Sequence, residues 1–395
     1  MPPITPRRHA VRLKPAAERQ IRRGHPWVFD EAIEQQPTGA EAGDLAIVFQ
    51  RKNRKFLGIG LYDPHSPIRI KMLHTGTSVT IDEEWFAERI RLAYEQRLPL
   101  LQTDTTGYRL LFGENDGLPG LVADVYAQVL VVKIYSSIWL PYLDWLVPII
   151  EQQAGTNATV LRFARNVQAL TDLAAGTLVS GSLPEDQEVI FKEYGIRFAA
   201  NPVRGHKTGF FLDHRQNRRK TGLLAGGKTV LDVFSYAGGF SVHALAGGAT
   251  RVTSVDISEP ALRLAERNAA LNTFTGKHET IAADAFELLT RFVAMGRSFD
   301  LVIIDPPALA KRKSEVAVAL KKYAELARLG KRLTAPGGTL MLASCSSRVS
   351  AEEFYRLNET ILGRDFNLIE QTGHDIDHPV GFPEGAYLKA GWYGR

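Results

Sequence analysis

VLDVFSYAGGFSVHALAGGATRVTSVDIS, residues 230–258, decides the fold class of this chain. An apolar run ends near Asp232, a loop turns through Gly238 and Gly239, and a helical stretch begins at Phe240. A second apolar run then closes on Asp256, 24 residues after Asp232. That distance suits one strand–helix–strand unit of a parallel sheet. Glycine allows a backbone to approach a ligand, and an acid at the tip of the second strand can accept both hydroxyls of a ribose.

Outward from this unit, the alternation continues to the end of the chain. Strands are expected at 229–234, 251–256, 278–283, 301–305, 339–344 and 366–371. Helices are expected between them at 240–246, 260–272, 285–295, 316–333 and 351–362. This is the rhythm of a doubly wound α/β domain, placed at 191–395. Toward the N-terminus the rhythm differs. Short strand-like runs at 46–49, 57–62 and 68–73, with a short helix at Pro15–Arg23, suggest a β-rich module over 1–75. An amphipathic helix opened by Asp82, strands at 108–112, 121–125 and 129–134, an apolar helix near 139–153 and a strand at 159–164 suggest an α+β domain over 76–190.

With 395 residues, 45% hydrophobic and 23% charged, the chain can bury several cores. No apolar run reaches the roughly 20 residues of a membrane span, and Met1–Ala10 lacks the apolar stretch of a signal peptide. The expected compartment is the cytoplasm. One cysteine, Cys345, excludes an intrachain disulfide and a multi-cysteine zinc site. Residues 1–75 hold thirteen lysines and arginines against seven acids, while the whole chain has a net charge of +5. Clusters at Arg19, Arg22, Arg23 and at Arg51, Lys52, Arg54, Lys55 therefore suit a phosphate backbone, or equally a solvated basic face.

Two further strand ends carry chemistry. FDLVIIDPPAL, residues 299–309, stops at Asp305-Pro306-Pro307, and the prolines hold Asp305 at the carboxyl edge where ligands bind in such sheets. PGGTLMLASCSSRVS, residues 336–350, places Cys345 just beyond the next strand, between Ser344 and Ser346. A lone cysteine is usually a small buried hydrophobe, but this one stands at the same edge as Asp305. A thiolate there could add to C6 of a pyrimidine and make C5 nucleophilic enough to take a methyl group. Asp305 would bind the N3/N4 edge of the base. No residue in the sequence identifies itself as the base that removes the C5 proton.

The loop is not GxGxxG, so a diphosphate is disfavoured, whereas S-adenosylmethionine carries no phosphate and tolerates a looser turn. The D-x-F-x-x-x-G-G pattern resembles motif I of class I methyltransferases, and Asp305-Pro306-Pro307 resembles their motif IV. That resemblance implies Asp256 on the ribose and Asp284 near the adenine. Asp232, Phe234, Tyr236, Gly238, Phe240, Ile257, Ala285 and Asp305 complete the expected cofactor-facing set. Together with GHPWVF at 24–29, ENDGLPGLVAD at 114–124 and KTGFFLDHRQNRR at 207–219, the chain resembles the bacterial PUA-domain-containing 23S ribosomal RNA (cytosine-5)-methyltransferases over nearly its full length.

The resemblance implies a PUA RNA-binding domain, a central α+β domain and a class I, Rossmann-like methyltransferase domain. It implies S-adenosylmethionine as cofactor, Cys345 as nucleophile, and Phe211 and Asp213 near cofactor or target base. Arg22, Arg23, Arg51, Lys52, Lys207, Arg215 and Arg218 are expected RNA contacts. The expected partner is 23S ribosomal RNA, with a homodimer left open and no membrane or metal. The chain departs from the family pattern in having Asp232 where Asn is common and Ala237 where Thr is common. It also has Ala308 where many RNA cytosine-5 methyltransferases carry a second cysteine. Competing expectations are a methyltransferase acting on a guanine nitrogen and a non-catalytic RNA-binding assembly factor. A weaker one is a metal site at His374 and His378, which read as loop histidines.

Overall fold

The structure is a computed structural model that describes residues 6–395. It packs as two compact units. One holds the chain up to Phe191 with the returning segments Ala200–Phe210 and Ile376–Pro383; the other holds Lys192–Ala199, Phe211–Asp375 and Glu384–Arg395. The first two expected domains thus share one unit. They keep separate sheets but are pinned by buried polar contacts, such as the Tyr142 hydroxyl donating to the Gly43 carbonyl at 2.6 Å.

Within the first unit, one five-stranded sheet runs Arg8–Arg12, Leu45–Phe49, Phe56–Tyr62, Ile68–Thr75, Trp27–Phe29. Its apolar faces close over a core of Val11, Ile21, Val28, Val48 and Ile70. The second five-stranded sheet runs Thr177–Ser180, Ala158–Phe163, Val129–Ile134, Leu121–Tyr126, Gly107–Phe112. Helix Glu83–Leu101 begins as expected, with the Asp82 carboxylate accepting from the Trp85 amide at 3.0 Å. Arg97 clamps Asp116 through two bonds of 2.9 and 2.7 Å, and also donates to the Asp377 carbonyl. The Asp377 carboxylate accepts from the Arg109 amide, so the returning segment is tied into this unit.

The second unit carries the seven-stranded sheet, here labelled β1 (Thr229–Val233), β2 (Arg251–Asp256), β3 (Lys277–Ala282), β4 (Phe299–Ile304), β5 (Thr334–Ser344), β6 (Asn367–Thr372) and β7 (Lys389–Gly394). Its order is β3-β2-β1-β4-β5-β7-β6, parallel except for β7, which runs antiparallel to both neighbours. The helices are α1 (Arg215–Leu224), α2 (Gly239–Ala246), α3 (Glu259–Ala270), α4 (Ala285–Ala294), α5 (Val316–Leu333) and α6 (Ala351–Leu362). Ser258, Asp284 and Ser350 cap α3, α4 and α6 through their side chains. Leu231, Val233, Val302 and Ile304 of the sheet pack against Leu288, Phe292, Tyr323, Leu326 and Phe354 of α4, α5 and α6. Strand order reverses between β1 and β4, which opens a crevice outside their carboxyl ends. The sequence reading lacked β7, because LKAGWYG has no alternation and pairs only through long-range neighbours.

Candidate active site

The loop after β1 takes backbone angles that residues other than glycine rarely adopt. Phe234, Tyr236 and Gly238 all have positive φ (63°, 48° and 72°), and two of the three are not glycine. Each such residue costs about 1–2 kcal/mol unless its surroundings impose it. Here they do. The Tyr236 amide donates to Asp256 Oδ2 at 2.9 Å, Ser235 N–H to the Val255 carbonyl at 3.0 Å, and Asn268 Nδ2 to the Ala237 carbonyl at 2.8 Å. Gly238 is required by packing as well as by φ, since a Cβ there would sit 2.7 Å from Cβ of Ala265 on α3. The close approach of the loop to α3 is thus built on this glycine.

Asp256 takes one backbone N–H on each oxygen, from Tyr236 and from Ser258, both at 2.9 Å. Each oxygen keeps a second lone pair for a hydroxyl. Beside it Ile257 is 75% exposed, an apolar face at the crevice edge. The ring of Phe211 meets Tyr236 edge-on at 5.1 Å, and Phe234 meets Phe286 at 6.5 Å. Asp284 is exposed and caps α4 through the Glu287 amide at 3.1 Å, with Ala285 buried behind it. Asp232 lies beneath the loop, fully buried, and its Oδ2 accepts from the Ser241 amide and hydroxyl at 3.1 and 2.6 Å. Burial, resisted by Ser241 and reinforced by the charges of Asp305 and Asp256, pushes its carboxyl up to about 7. Asp232 therefore supports the loop from below and does not line it.

The second half of the site stands where β4 and β5 end. Asp305 and Cys345 follow these neighbouring strands, and His214, the residue before α1, reaches both. His214 Nε2 lies 3.3 Å from Asp305 Oδ1 and 3.8 Å from Cys345 Sγ, and ligand-type atoms of all three fall within 4.8 Å of one another. Asp305 Oδ1 is buried yet has no hydrogen bond; the His214 contact is close but out of line. Burial disfavours a charged His214 ring, but the Asp305 carboxylate outweighs it and raises the ring above the ordinary histidine range. Phe240 packs on this ring at 5.5 Å, and Asp213 accepts from the Tyr387 hydroxyl at 2.8 Å.

The two loops are locked together. Ser346 Oγ accepts from the Leu309 and Ala310 amides at 3.0 and 3.2 Å, which fixes the segment after Asp305 against the segment after Cys345. Lys389 of β7, itself buried, donates to the Ser346 and Val349 carbonyls at 2.7 and 2.8 Å. Burial pulls its amine down to about 8, while the neighbouring Cys345 opposes that fall. Neither His214 nor Lys389 was singled out in the sequence. His214 stands inside KTGFFLDHR, between residues that were, and that position was its only signal.

Two expected RNA contacts are corrected. Arg215 and Arg218 are 0% and 3% exposed, and both lie against the buried carboxylate of Glu193. Arg218 makes two bonds to it, 2.9 and 2.6 Å, while Arg215 also pairs with Asp375 at 3.3 Å. Burial would raise Glu193, but Arg218, His243 and Arg215 together hold it down at about 2. These arginines fasten α1 inside its unit and offer no charge to a phosphate. Arg22, Arg23, Arg51, Lys52 and Lys207 are exposed, with Arg22 paired to Glu18 at 2.6 Å and Arg51 paired to Glu34. Exposed pairs of this kind are worth about 0–1 kcal/mol, so they can yield to a phosphate. His374 packs on Tyr387 and His378 bonds Asp377 at 2.8 Å, both in loops.

Comparison with known proteins adds the family context. The profile described as S-adenosylmethionine-dependent methyltransferase matches residues 109–386, and that of a PUA-like domain matches residues 11–75. A ribosomal RNA large subunit methyltransferase of Deinococcus radiodurans is 45% identical over 392 residues, covering 96% of each chain. Ribosomal RNA large subunit methyltransferase I of Shewanella amazonensis is 35% identical over 387 residues, covering 96% of this chain and 97% of its own. Among solved structures, a Streptococcus mutans candidate S-adenosylmethionine-dependent methyltransferase aligns at TM-score 0.81 with 22% identity, over 98% of this chain and 100% of its own. A second, a methyltransferase candidate solved with S-adenosylhomocysteine, aligns at 0.82 with the same identity and coverage. At that identity the likeness is one of fold.

Proposed function

The chain belongs to the S-adenosylmethionine-dependent ribosomal RNA large subunit methyltransferases with a PUA-like domain, and from that premise we propose that it methylates C5 of a cytosine in 23S ribosomal RNA. The observation that carries this reading is the pairing of Cys345 Sγ with an Asp305 oxygen that is buried without a hydrogen bond. A buried acceptor without a donor is costly, about 1–3 kcal/mol, unless a ligand supplies one. The exocyclic amino group of cytosine is such a donor. The same edge of guanine would also satisfy Asp305, but a nitrogen nucleophile has no use for a thiol beside it.

The residues around the first loop suit the cofactor. Asp256 has acceptor capacity for two ribose hydroxyls, Ile257 offers an apolar face to the adenine, and Phe211, Phe234 and Tyr236 wall the crevice. S-adenosylmethionine, when bound there, supplies the electrophilic methyl group that C5 accepts.

The chain's own groups perform the rest. The Cys345 sulfur lone pair forms a bond to C6, and the C5–C6 double-bond electrons move toward C5 as Asp305 holds the N3/N4 edge. After C5 has gained its methyl group, its proton leaves to a base. The electrons of the C5–H bond restore the double bond, and the C6–S bond breaks to return the thiolate. In this reading the target base leaves its stack to reach the crevice, while the exposed basic residues Arg22, Arg23, Arg51, Lys52 and Lys207 contact the RNA backbone.

RNA carrying 5-fluorocytosine tests this directly, because fluorine cannot leave C5 as a cation and the adduct stalls. With S-adenosylmethionine present, wild type should form a denaturant-stable protein–RNA band and Cys345→Ala should not. Methylation of natural RNA without any trapped band on the fluorinated RNA would refute the covalent route.

A further inference from the structure

The site holds a hydrogen-bond chain whose polarity can be read from its far end. Trp392 Nε1 can only donate, and it donates to Asn217 Oδ1 at 3.1 Å. The Thr372 hydroxyl donates to the same oxygen at 2.6 Å. That fixes the amide of Asn217, whose Nδ2 faces His214 Nδ1 at 3.1 Å. An amide nitrogen only donates, so Nδ1 of His214 is an acceptor and the neutral ring carries its proton on Nε2. Asp305 pulls toward imidazolium and Asn217 resists it, yet in either charge state Nε2 bears a proton. That proton faces two acceptors, Asp305 Oδ1 at 3.3 Å and the Cys345 sulfur at 3.8 Å, and Asp305 Oδ1 makes no hydrogen bond of good geometry.

We propose that His214, oriented by Asn217 and Trp392, is the positioning residue that holds Cys345 as a thiolate by donating Nε2–H to its sulfur. The inference rests on the reading of Cys345 as nucleophile. The thiol proton passes to water, the sulfur keeps the electron pair that will attack C6, and the same N–H receives the sulfur again when the C6–S bond breaks. His214 is thereby excluded as the acceptor of the C5 proton in its resting state, because the nitrogen facing the site is already protonated. The polarity also bears on the His214–Asp305–Cys345 cluster as a metal site. A metal on Nε2 would force the ring proton onto Nδ1, where it would meet the N–H of Asn217. The other titratable groups around the sulfur are Asp305 after β4, Lys389 on β7 and the Tyr323 phenol on α5. Of these Lys389 alone can add positive charge, and its protons are directed to two carbonyls.

Cys345 is the single cysteine of the chain, so iodoacetamide alkylation of the full-length protein reports on it without background. Wild type should alkylate at pH 7 about tenfold faster than His214→Ala, with the inflection of its pH profile about one unit lower. His214→Gln should stay within about threefold of wild type, because its amide can offer N–H to the sulfur and C=O to Asn217. Superimposed profiles for wild type and His214→Ala, or a His214→Gln as slow as His214→Ala, would overturn the proposal. If His214→Ala fails to fold, histidine-ring 15N spectra of wild type decide the matter, with His214 assigned by its absence from His214→Gln. A ring protonated only on Nδ1 would refute it. Alkylation needs no RNA, so a normal His214 dependence with no 5-fluorocytosine adduct would sink the cytosine-C5 reading alone.

Discussion

Asp232→Asn should make the protein more stable at pH 8 and no more stable at pH 4. The Asp232 carboxyl is wholly buried and stands at about 7, against an ordinary value of 3.8. A group whose folded value is raised contributes stability that is complete below its unfolded value and is lost as pH rises through the folded value. Wild type should therefore weaken from about pH 4 to about pH 7 and level off above. The gap of roughly three units, at about 1.4 kcal/mol each, sets a ceiling of about 4 kcal/mol on the penalty at pH 8. Asparagine removes the charge and keeps an acceptor for the Ser241 amide and hydroxyl. It also places an amide group where Oδ1 now has no partner, at a cost of about 1–3 kcal/mol. A net gain of about 2 kcal/mol at pH 8, turning into a loss of about 2 kcal/mol at pH 4, is the expected result of urea unfolding across that range. Parallel stability curves for the two proteins would show that Asp232 is not the buried acid described here. The same variant should flatten any loss of S-adenosylhomocysteine affinity between pH 6 and 8, because the loop that Asp232 supports no longer sits over a developing charge.

Gly238→Ala should weaken S-adenosylhomocysteine binding at least tenfold in calorimetry and cost roughly 1–3 kcal/mol in unfolding, since its Cβ would enter Ala265 and its φ is 72°; wild-type affinity would mean that α3 yields without moving the loop. Arg23→Gln with Lys52→Gln should lower RNA affinity and reduce the steepness of its salt dependence by about 0.7–0.9 per lost phosphate contact. An unchanged salt slope would remove both residues from the RNA surface.

How much of this was legible in the sequence depends on where each residue's partners lie. Strands β1, β2, β4 and β5 are largely buried, so they read as mainly apolar runs, and the helices of the domain carry Ser258, Asp284 and Ser350 at their starts. Asp232, Asp256, Asp305 and Cys345 were visible because a polar residue ending an apolar run stands out without knowledge of any neighbour. What their side chains touch was not visible. Asp232 and Asp256 are both acids at strand ends, yet one is sealed under the loop and the other faces the crevice, a difference set by Ser241 and by which way the β-pleat turns. Arg215 and Arg218 read as surface charge because an arginine is buried only when paired, and their partner Glu193 belongs to a hairpin with no distinctive pattern.

His214 shows the limit most sharply, since it meets Asp305 and Cys345 from 91 and 131 residues away, and its neighbour Asn217 accepts from Trp392, 175 residues apart. No periodicity joins such positions. The Trp392 contact requires that β7 lie beside β5, and β7 was the one strand of the sheet that the sequence did not reveal. The Asn217 amide beside His214 is thus oriented in part by the strand least predictable from its own residues, which explains why Asp305 and Cys345 could be picked out from the sequence while His214 could not.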